Sequence, residues 1–303
     1  MLIHHVARYV DYRRKLGTGF EGGEQTLNLF ARYADERGDS HVTIDRIHEW
    51  CSGACSAERV RYKYNLLRRF SLFLRAEDPA HAAPPIGALG SSQRPRPAPH
   101  LLQPEEIAAI MSAVLTLPST TIAPYTYHCL FGLLAVTGMR VSEALALQRS
   151  DFTRDGLLVR QSKGGGSRLL PIHSTTREAL EAYVHRRNRV FSLSDDLFIV
   201  RTGLAPDKST VRKVFIGLAR QLGIRGPVGI PGPRLHDLRH SFAVRSLEAC
   251  AHDYDAVRRH MTALRDYLGH SHIEHTYWYL EATPVLMRTI AAANEDRFLG
   301  GAR

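Results

Sequence analysis

The chain has 303 residues, enough for two domains with a full hydrophobic core, and its 44% hydrophobic and 23% charged residues exclude a disordered or fibrous polypeptide. The formal net charge is +10, carried largely by arginine, whose forked guanidinium suits phosphate; the balance fits a nucleic-acid partner, with a merely solvated basic surface as the alternative on charge alone. Four scattered cysteines (Cys51, Cys55, Cys129, Cys250) argue against a disulfide framework, and the lone CxxxC pair lacks the second pair that a zinc site needs. The N-terminal MLIHHVARYVDYRRK has no apolar signal core, and no run approaches the roughly eighteen apolar residues of a membrane span. The expectation is a cytoplasmic protein in a reducing compartment, away from membrane.

Residues 1–84 read as helical. Val6, Tyr9, Val10 and Leu16 keep near-helical spacing up to Gly17 and Gly19, and a second helix spans about Glu24 to Arg37, with Leu27, Phe30, Ala31 and Ala34 on one face. Thr43 caps a short helix through Ile44, Ile47 and Trp50, and Ser56 opens a long one. The long helix has Tyr62, Leu66, Leu67, Phe70 and Leu74 as its apolar stripe and Arg59, Arg61, Lys63, Arg68 and Arg69 elsewhere on its surface. Arg59, Lys63, Arg68 and Arg69 are candidate contacts to a phosphate backbone, against the alternative of a solvated face. Proline, glycine, serine and alanine dominate 78–99, which places a linker at 85–100.

The second domain, 101–303, opens with a helix at Gln103-Pro104-Glu105-Glu106, where proline and acids suit a first turn. An apolar helix from about Ala123 to Thr137 is broken by Gly138, and helical spacing resumes from Arg140 to Leu147. Two β-prone runs, Leu157 to Gln161 and Ser167 to Ile172, flank Lys163-Gly164-Gly165-Gly166 as a hairpin. Helices are expected over Thr175 to Val190, Ser209 to Leu222, the segment LHDLRHSFA and about Asp255 to Leu268, with a short strand at Asp196 to Val200. The fold class is mainly α with a small antiparallel β-sheet.

Several residues in this second part have the chemistry of a phosphate site. Arg140 follows a glycine break at a helix start, itself an anion-binding position, and Glu143 shares its face; in isolation the two are a surface ion pair. His236 and Arg239 are spaced i, i+3, and Lys163 sits at the edge of a glycine-rich turn from which it could donate a proton; neither signal is specific alone. The stretch LGHSHIEHTYWY puts His270 nine residues before Tyr279. His272 and His275 raise a metal cluster, but HExxH is missing and Glu274 is the one acid in the run. Tyr277 and Tyr279 would point about 200° apart on a helix, so both cannot face one phosphate.

Order and spacing together change the reading. TGMRVSEALAL, the turn lysine, LHDLRHSFA and LGHSHIEHTYWY, in that order over about residues 100 to 293, resemble the boxes of the tyrosine recombinase (phage-type integrase) family. The resemblance implies a helical core-binding domain ahead of a catalytic domain. It implies that Arg140 and Arg239 clamp the scissile phosphate, Lys163 protonates the leaving 5′ oxygen, His236 assists proton transfer and His270 hydrogen-bonds the phosphate. Glu143 would orient its neighbours and Tyr279 would be the nucleophile, forming a 3′-phosphotyrosine link that needs neither ATP nor metal nor another cofactor. The implied activity is site-specific recombination for integration, excision or transposition of a mobile element. The partners are double-stranded DNA and further copies of the chain, as a tetramer on paired sites; the apolar positions Val285, Leu286, Ile290 and Ala291 within 283–298 suit a helix that docks on a neighbouring copy or, alternatively, packs on its own domain. Alternatives with the same motifs are a type IB topoisomerase that relaxes DNA and a catalytically inactive DNA-binding protein.

Overall fold

The computed structural model describes residues 2–17, 20–54, 56–90, 99–160, 166–250, 254–269, 279 and 288. The chain divides into two units, Met1–Arg96 and Pro97–Arg303.

Four helices make the first unit: α1 (Leu2–Lys15), α2 (Glu21–Asp35), α3 (Ile44–Ser52) and α4 (Ala57–Arg75). The predicted caps close two of them, because a hydroxyl can satisfy an otherwise unpaired N–H of the first turn. Thr43 Oγ1 accepts from Arg46 N and Ser56 Oγ from Arg59 N, both at 3.2 Å. Val6, Tyr9 and Val10 of α1, Leu27 and Phe30 of α2, Ile47 of α3 and Leu66, Leu67, Phe70 and Leu74 of α4 form one core. Each large side chain so buried contributes about 1.5–3 kcal/mol.

Two expected core residues are not in it. Leu16 lies past the end of α1 and is 59% exposed. Tyr62 lies on the uncovered edge of the α4 stripe, beneath the Arg59 guanidinium, while Tyr64 on the opposite edge stacks on His48 and is 2% exposed. Part of the predicted linker lies against this unit: Leu89 packs on its core, and Arg61 donates to Leu89 O at 3.1 Å.

The second unit is built from α5 (Pro104–Leu115), α6 (Ala123–Thr137), α7 (Val141–Leu145), β1 (Phe152–Thr153), β2 (Gly156–Val159), β3 (Arg168–Leu170), α8 (Ser174–Arg187), α9 (Lys208–Gln221), α10 (Asp237–Glu248) and α11 (Tyr254–Leu268). The strands form a three-stranded antiparallel meander in the order β1-β2-β3, so the predicted hairpin is present with shorter strands and a third strand joined to it. The register sets Leu157 against Leu170 and Val159 against Arg168. Helices α5, α6, α8 and α9 and the sheet share one core around Leu130, Phe131, Leu157, Leu180 and Phe215. A smaller cluster of Val244, Leu247, Leu264 and Leu268 joins α10 to α11, and Tyr279 belongs to it.

The strand expected at Asp196 to Val200 is not formed. One isolated bridge, Gln148 to Asp196, marks its start. Leu197, Phe198 and Ile199 are all buried as the apolar run requires, but side chains take the place of a neighbouring strand. Ile199 N donates to Tyr183 Oη at 3.1 Å, and Thr126 Oγ1 donates to Ile199 O at 2.6 Å. Backbone polar groups that are buried must be paired, and here two hydroxyls do the pairing. No described helix is long and apolar enough to cross a membrane.

Candidate active site

One glycine sets the first arginine. Helix α6 ends at Gly138, whose φ is +60°, and a Cβ there would lie 2.4 Å from the Phe242 ring. Glycine takes this left-handed turn without steric cost and lets α10 approach closely. The turn makes Arg140 the N-cap of α7. Glu143, at the third position of that helix, accepts the Arg140 backbone N–H at 3.0 Å and the Arg140 Nη1 at 2.8 Å. The pair is no ordinary surface pair: Glu143 is only 8% exposed.

Helix α10 supplies the second arginine. Asp237 in its first turn accepts the Arg234 backbone N–H at 2.7 Å. Arg239 is buried, and its Nη1 donates to Gly138 O at 2.8 Å while its Nη2 donates to Leu268 O at 2.9 Å. The guanidinium also hydrogen-bonds the Tyr279 hydroxyl. Tyr279 is 2% exposed, and its ring centroid lies 5.6 Å from that of His240, which in turn lies 4.6 Å from that of His236.

The end of α11 ties these groups together. Tyr267 O accepts from Arg168 Nε at 2.9 Å, Leu268 O from Arg239, and Gly269 O from Arg140 Nη2 at 3.2 Å. Three consecutive carbonyls at a helix C-terminus thus accept from three different arginines. Those carbonyls lack partners within the helix and carry the negative end of its dipole, so they are natural acceptors for cations.

Electrostatics follow from this crowding. Burial, and then the nearby Arg140, lower the Arg239 pKa to about 10, so it stays charged at neutral pH. Desolvation, with Arg239, Arg234 and Arg140 pushing the same way, lowers His236 to about 4, against an opposing pull from Asp237. His236 is exposed, which tempers the desolvation; an imidazole of ordinary pKa, about 6.5, is already mostly neutral at pH 7, and the three cations push the same way. Burial alone would raise the Glu143 carboxyl; hydrogen bonds from Arg168 and from the Arg140 backbone outweigh it, so Glu143 sits below the usual carboxylate range. The site is therefore a cationic cluster with a neutral imidazole and a phenol.

Arg140, Glu143, His236, Arg239 and Tyr279 are brought together. Lys163, His270, His272, His275 and Tyr277 lie outside the described residues, as do Cys55 and the 283–298 segment apart from Arg288. In the first unit, Arg59 and Lys63 lie about 40° apart around α4 and Arg68 about 180° from Arg59, so the basic residues do not share a single face. Lys63 is engaged with Trp50, its Nζ 3.8 Å from the ring centroid and donating to Trp50 O at 3.3 Å. Arg69 Nε donates to Asn65 O within the helix.

Two residues of the site escaped the sequence. His240 follows Arg239 directly and reads as a second helical histidine. Arg168 reads as one more cation near a turn; the signal was its inward parity on a strand, two residues from buried Leu170. Among the described residues His41, Asp78 and His81 could hold a metal by proximity, but Val42 N donates to His81 Nδ1, leaving the proton on the ring's other nitrogen. An apolar groove of about 420 Å³ between α5, α6 and α8, lined by Met111, His128 and Val136 among others, contains none of the predicted site residues.

The phage integrase family model matches residues 100–284, which hold every box described above. A protein of Sinorhizobium fredii (strain NBRC 101917 / NGR234), "Putative integrase/recombinase y4rB", is 34% identical over 304 residues, covering 97% of this chain and 96% of the relative. The chain belongs to the phage integrase family of tyrosine recombinases. Tyrosine recombinase XerD of Rhizobium meliloti (strain 1021) is 29% identical over 224 residues, covering 72% of this chain and 68% of that protein. Among solved structures, the Tn1549 transposon integrase in complex with transposon right end DNA shares the fold, with a TM-score of 0.65 at 16% identity over 99% of each chain. As a tyrosine recombinase this protein is an enzyme that cleaves and rejoins DNA strands. The helical fold with its small antiparallel sheet is the one expected from the sequence.

Proposed function

We propose that this tyrosine recombinase acts at specific DNA sites through a covalent 3′-phosphotyrosine intermediate formed by Tyr279. The observation that carries the reading is the hydrogen bond between Tyr279 and Arg239, with Arg140 on the adjacent carbonyl of the same helix end. Two guanidiniums on one phosphodiester neutralise the charge that builds on its equatorial oxygens. The same cations favour the phenolate of a group whose ordinary pKa is about 10. Tyr279 oxygen attacks phosphorus as the bond to the 5′ oxygen breaks. His236, neutral at pH 7, accepts the phenolic proton directly or through water, and Lys163 protonates the leaving 5′ oxygen. His270 hydrogen-bonds the phosphate, and Glu143 orients Arg140. The phosphotyrosine keeps the energy of the broken linkage, so rejoining needs no nucleotide.

The substrate is double-stranded DNA, and the integrase/recombinase name of the Sinorhizobium fredii relative suits a mobile element that the enzyme would integrate, excise or transpose. The first unit would serve as the core-binding domain, with the exposed Arg59 and Arg69, about 80° apart around α4, on the phosphate backbone, and four copies would act on paired sites through the 283–298 segment. A duplex nicked beside the cleavage position releases its short strand on cutting and traps the adduct. The proposal expects a protein–DNA band stable to denaturant with the native protein and none with Tyr279→Phe. An adduct that survives this substitution would refute the assignment of the nucleophile, and relaxation of plasmids without any cognate site would turn the reading towards a topoisomerase.

A further inference from the structure

We propose that Arg168 is a positioning residue for phosphate cleavage: by bridging Glu143 to the end of α11, it lets Glu143 hold Arg140 without cancelling the charge that Arg140 presents to DNA. The proposal rests on the reading of Arg140 as a phosphate ligand.

Arg168 occupies the inner face of β3, opposite Val159, and its side chain is 14% exposed. All three guanidinium nitrogens are used. Nη2 donates to Glu143 Oε2 at 2.8 Å and Nη1 to Glu143 Oε1 at 3.3 Å, while Nε donates to Tyr267 O at 2.9 Å. The same carboxylate holds Arg140 from the other side, Oε1 taking its Nη1 and Oε2 its backbone N–H. One buried acid therefore lies between two arginines.

The charge balance gives this arrangement its meaning. Arg140 with Glu143 alone is a neutral pair, and a neutral pair has little to offer a phosphodiester anion. Adding Arg168 makes the group +1, and the second guanidinium draws the carboxylate field away from Arg140. Arg168 also fixes geometry. Gly269 has φ +66°, and a Cβ there would lie 2.7 Å from Arg168 Nη1, so the chain that leads into His270 leaves α11 directly over this guanidinium. A lysine has a point charge without the fork and cannot make these three bonds at once.

The test is a single-turnover cleavage assay on a nicked duplex chosen by covalent capture from a randomised pool with the native protein. Two forms of the duplex are compared. One has the natural phosphodiester at the cut; the other has a methylphosphonate there, neutral because a methyl group replaces one non-bridging oxygen. On the natural duplex Arg168→Met should cleave about 100-fold more slowly than the native protein, since small misplacements at a reacting centre cost that much, with DNA affinity unchanged. On the neutral duplex the gap should shrink to within about threefold, as it should for Arg140→Ala, because the cation is no longer needed there. Arg168→Lys, the milder variant should Arg168→Met not fold, should show the same pattern with a smaller loss. In a Glu143→Gln background, loss of Arg168 should cost nothing further.

A gap of equal size on both duplexes would overturn the proposal and leave Arg168 as a fold residue, as would native-like cleavage by Arg168→Met or a parallel loss of DNA affinity. Failure of the native protein to capture any duplex would refute the underlying reading of the site as well, so the two failures are distinguishable.

Discussion

Arg140 and Arg239 grip neighbouring carbonyls of a single helix end, Gly269 O at 3.2 Å and Leu268 O at 2.9 Å. They come from segments about a hundred residues apart, yet Arg239 also donates to Gly138 O, two residues before Arg140. The Arg239 pKa is lowered chiefly by burial and then by repulsion from the like charge of Arg140. Backbone carbonyls offset part of that repulsion, and a bound phosphate would offset more.

The first prediction concerns the nucleophile. Tyr279→Phe removes one oxygen, leaves the ring packed among Leu268, Val244 and His240, and should fold and bind DNA as the native protein does. Covalent adduct should fall to background in a denaturing gel. Tyr277→Phe should still form it. Adduct with the first variant or none with the second would reverse the assignment.

A second prediction tests the turn before Arg140. Gly138→Ala imposes a left-handed conformation on a residue with a Cβ, costing about 1–2 kcal/mol, and drives that Cβ into the Phe242 ring, adding about 1–3 kcal/mol. For a unit of this size each kcal/mol lowers Tm by about 2–4 °C, measurable by calorimetry. Phe242→Leu in the same background should recover part of the loss. An unchanged Tm for Gly138→Ala would mean that the α6–α10 approach is looser than described.

The third prediction is a pH dependence. His236 has a folded-state pKa of about 4 against an ordinary value near about 6.5, so between these values the unfolded chain binds the extra proton. Stability from this group is complete above about pH 6.5 and is lost as pH falls towards 4. His5 and His81 are also lowered, chiefly by burial, so the comparison must be with His236→Gln rather than with pH 7 alone. From pH 7 to pH 4.5 the native protein should lose more Tm than His236→Gln does. Equal losses, or a larger one in the variant, would show that His236 is not held neutral.

Much of this molecule was legible from local chemistry. Thr43 and Ser56 announce their helices because a capping hydroxyl acts within three residues, and Gly138 announces a turn because nothing else takes φ +60° so readily. The order of Arg140, His236, Arg239 and Tyr279 was legible for the same reason, each lying in a short patterned segment. Arg168 was not, since its partners Glu143 and Tyr267 are far away in sequence and a cation beside a glycine-rich turn reads as solvated. Tyr62 and Tyr64 lie on opposite edges of one helical stripe, and only the packing of α3 decides which is covered. The segment at Asp196 to Val200 has the apolar run of a strand, and periodicity alone does not reveal what pairs its backbone.

That last segment gives the fourth prediction. Tyr183 Oη accepts the Ile199 N–H at 3.1 Å and lies 3.1 Å from Thr126 Oγ1, which donates to Ile199 O at 2.6 Å. The closed ring of three bonds does for Ile199 what a neighbouring strand would do. Tyr183→Phe keeps the ring against Phe198 but leaves a buried N–H without an acceptor, at a cost of about 1–3 kcal/mol. Denaturant unfolding should show the midpoint falling with the slope unchanged, and Ile199 amide exchange should speed up more than that of Leu197, whose N–H is held by Leu147 O. A Tyr183→Phe protein as stable as the native one would mean that the backbone of this segment finds its partner elsewhere.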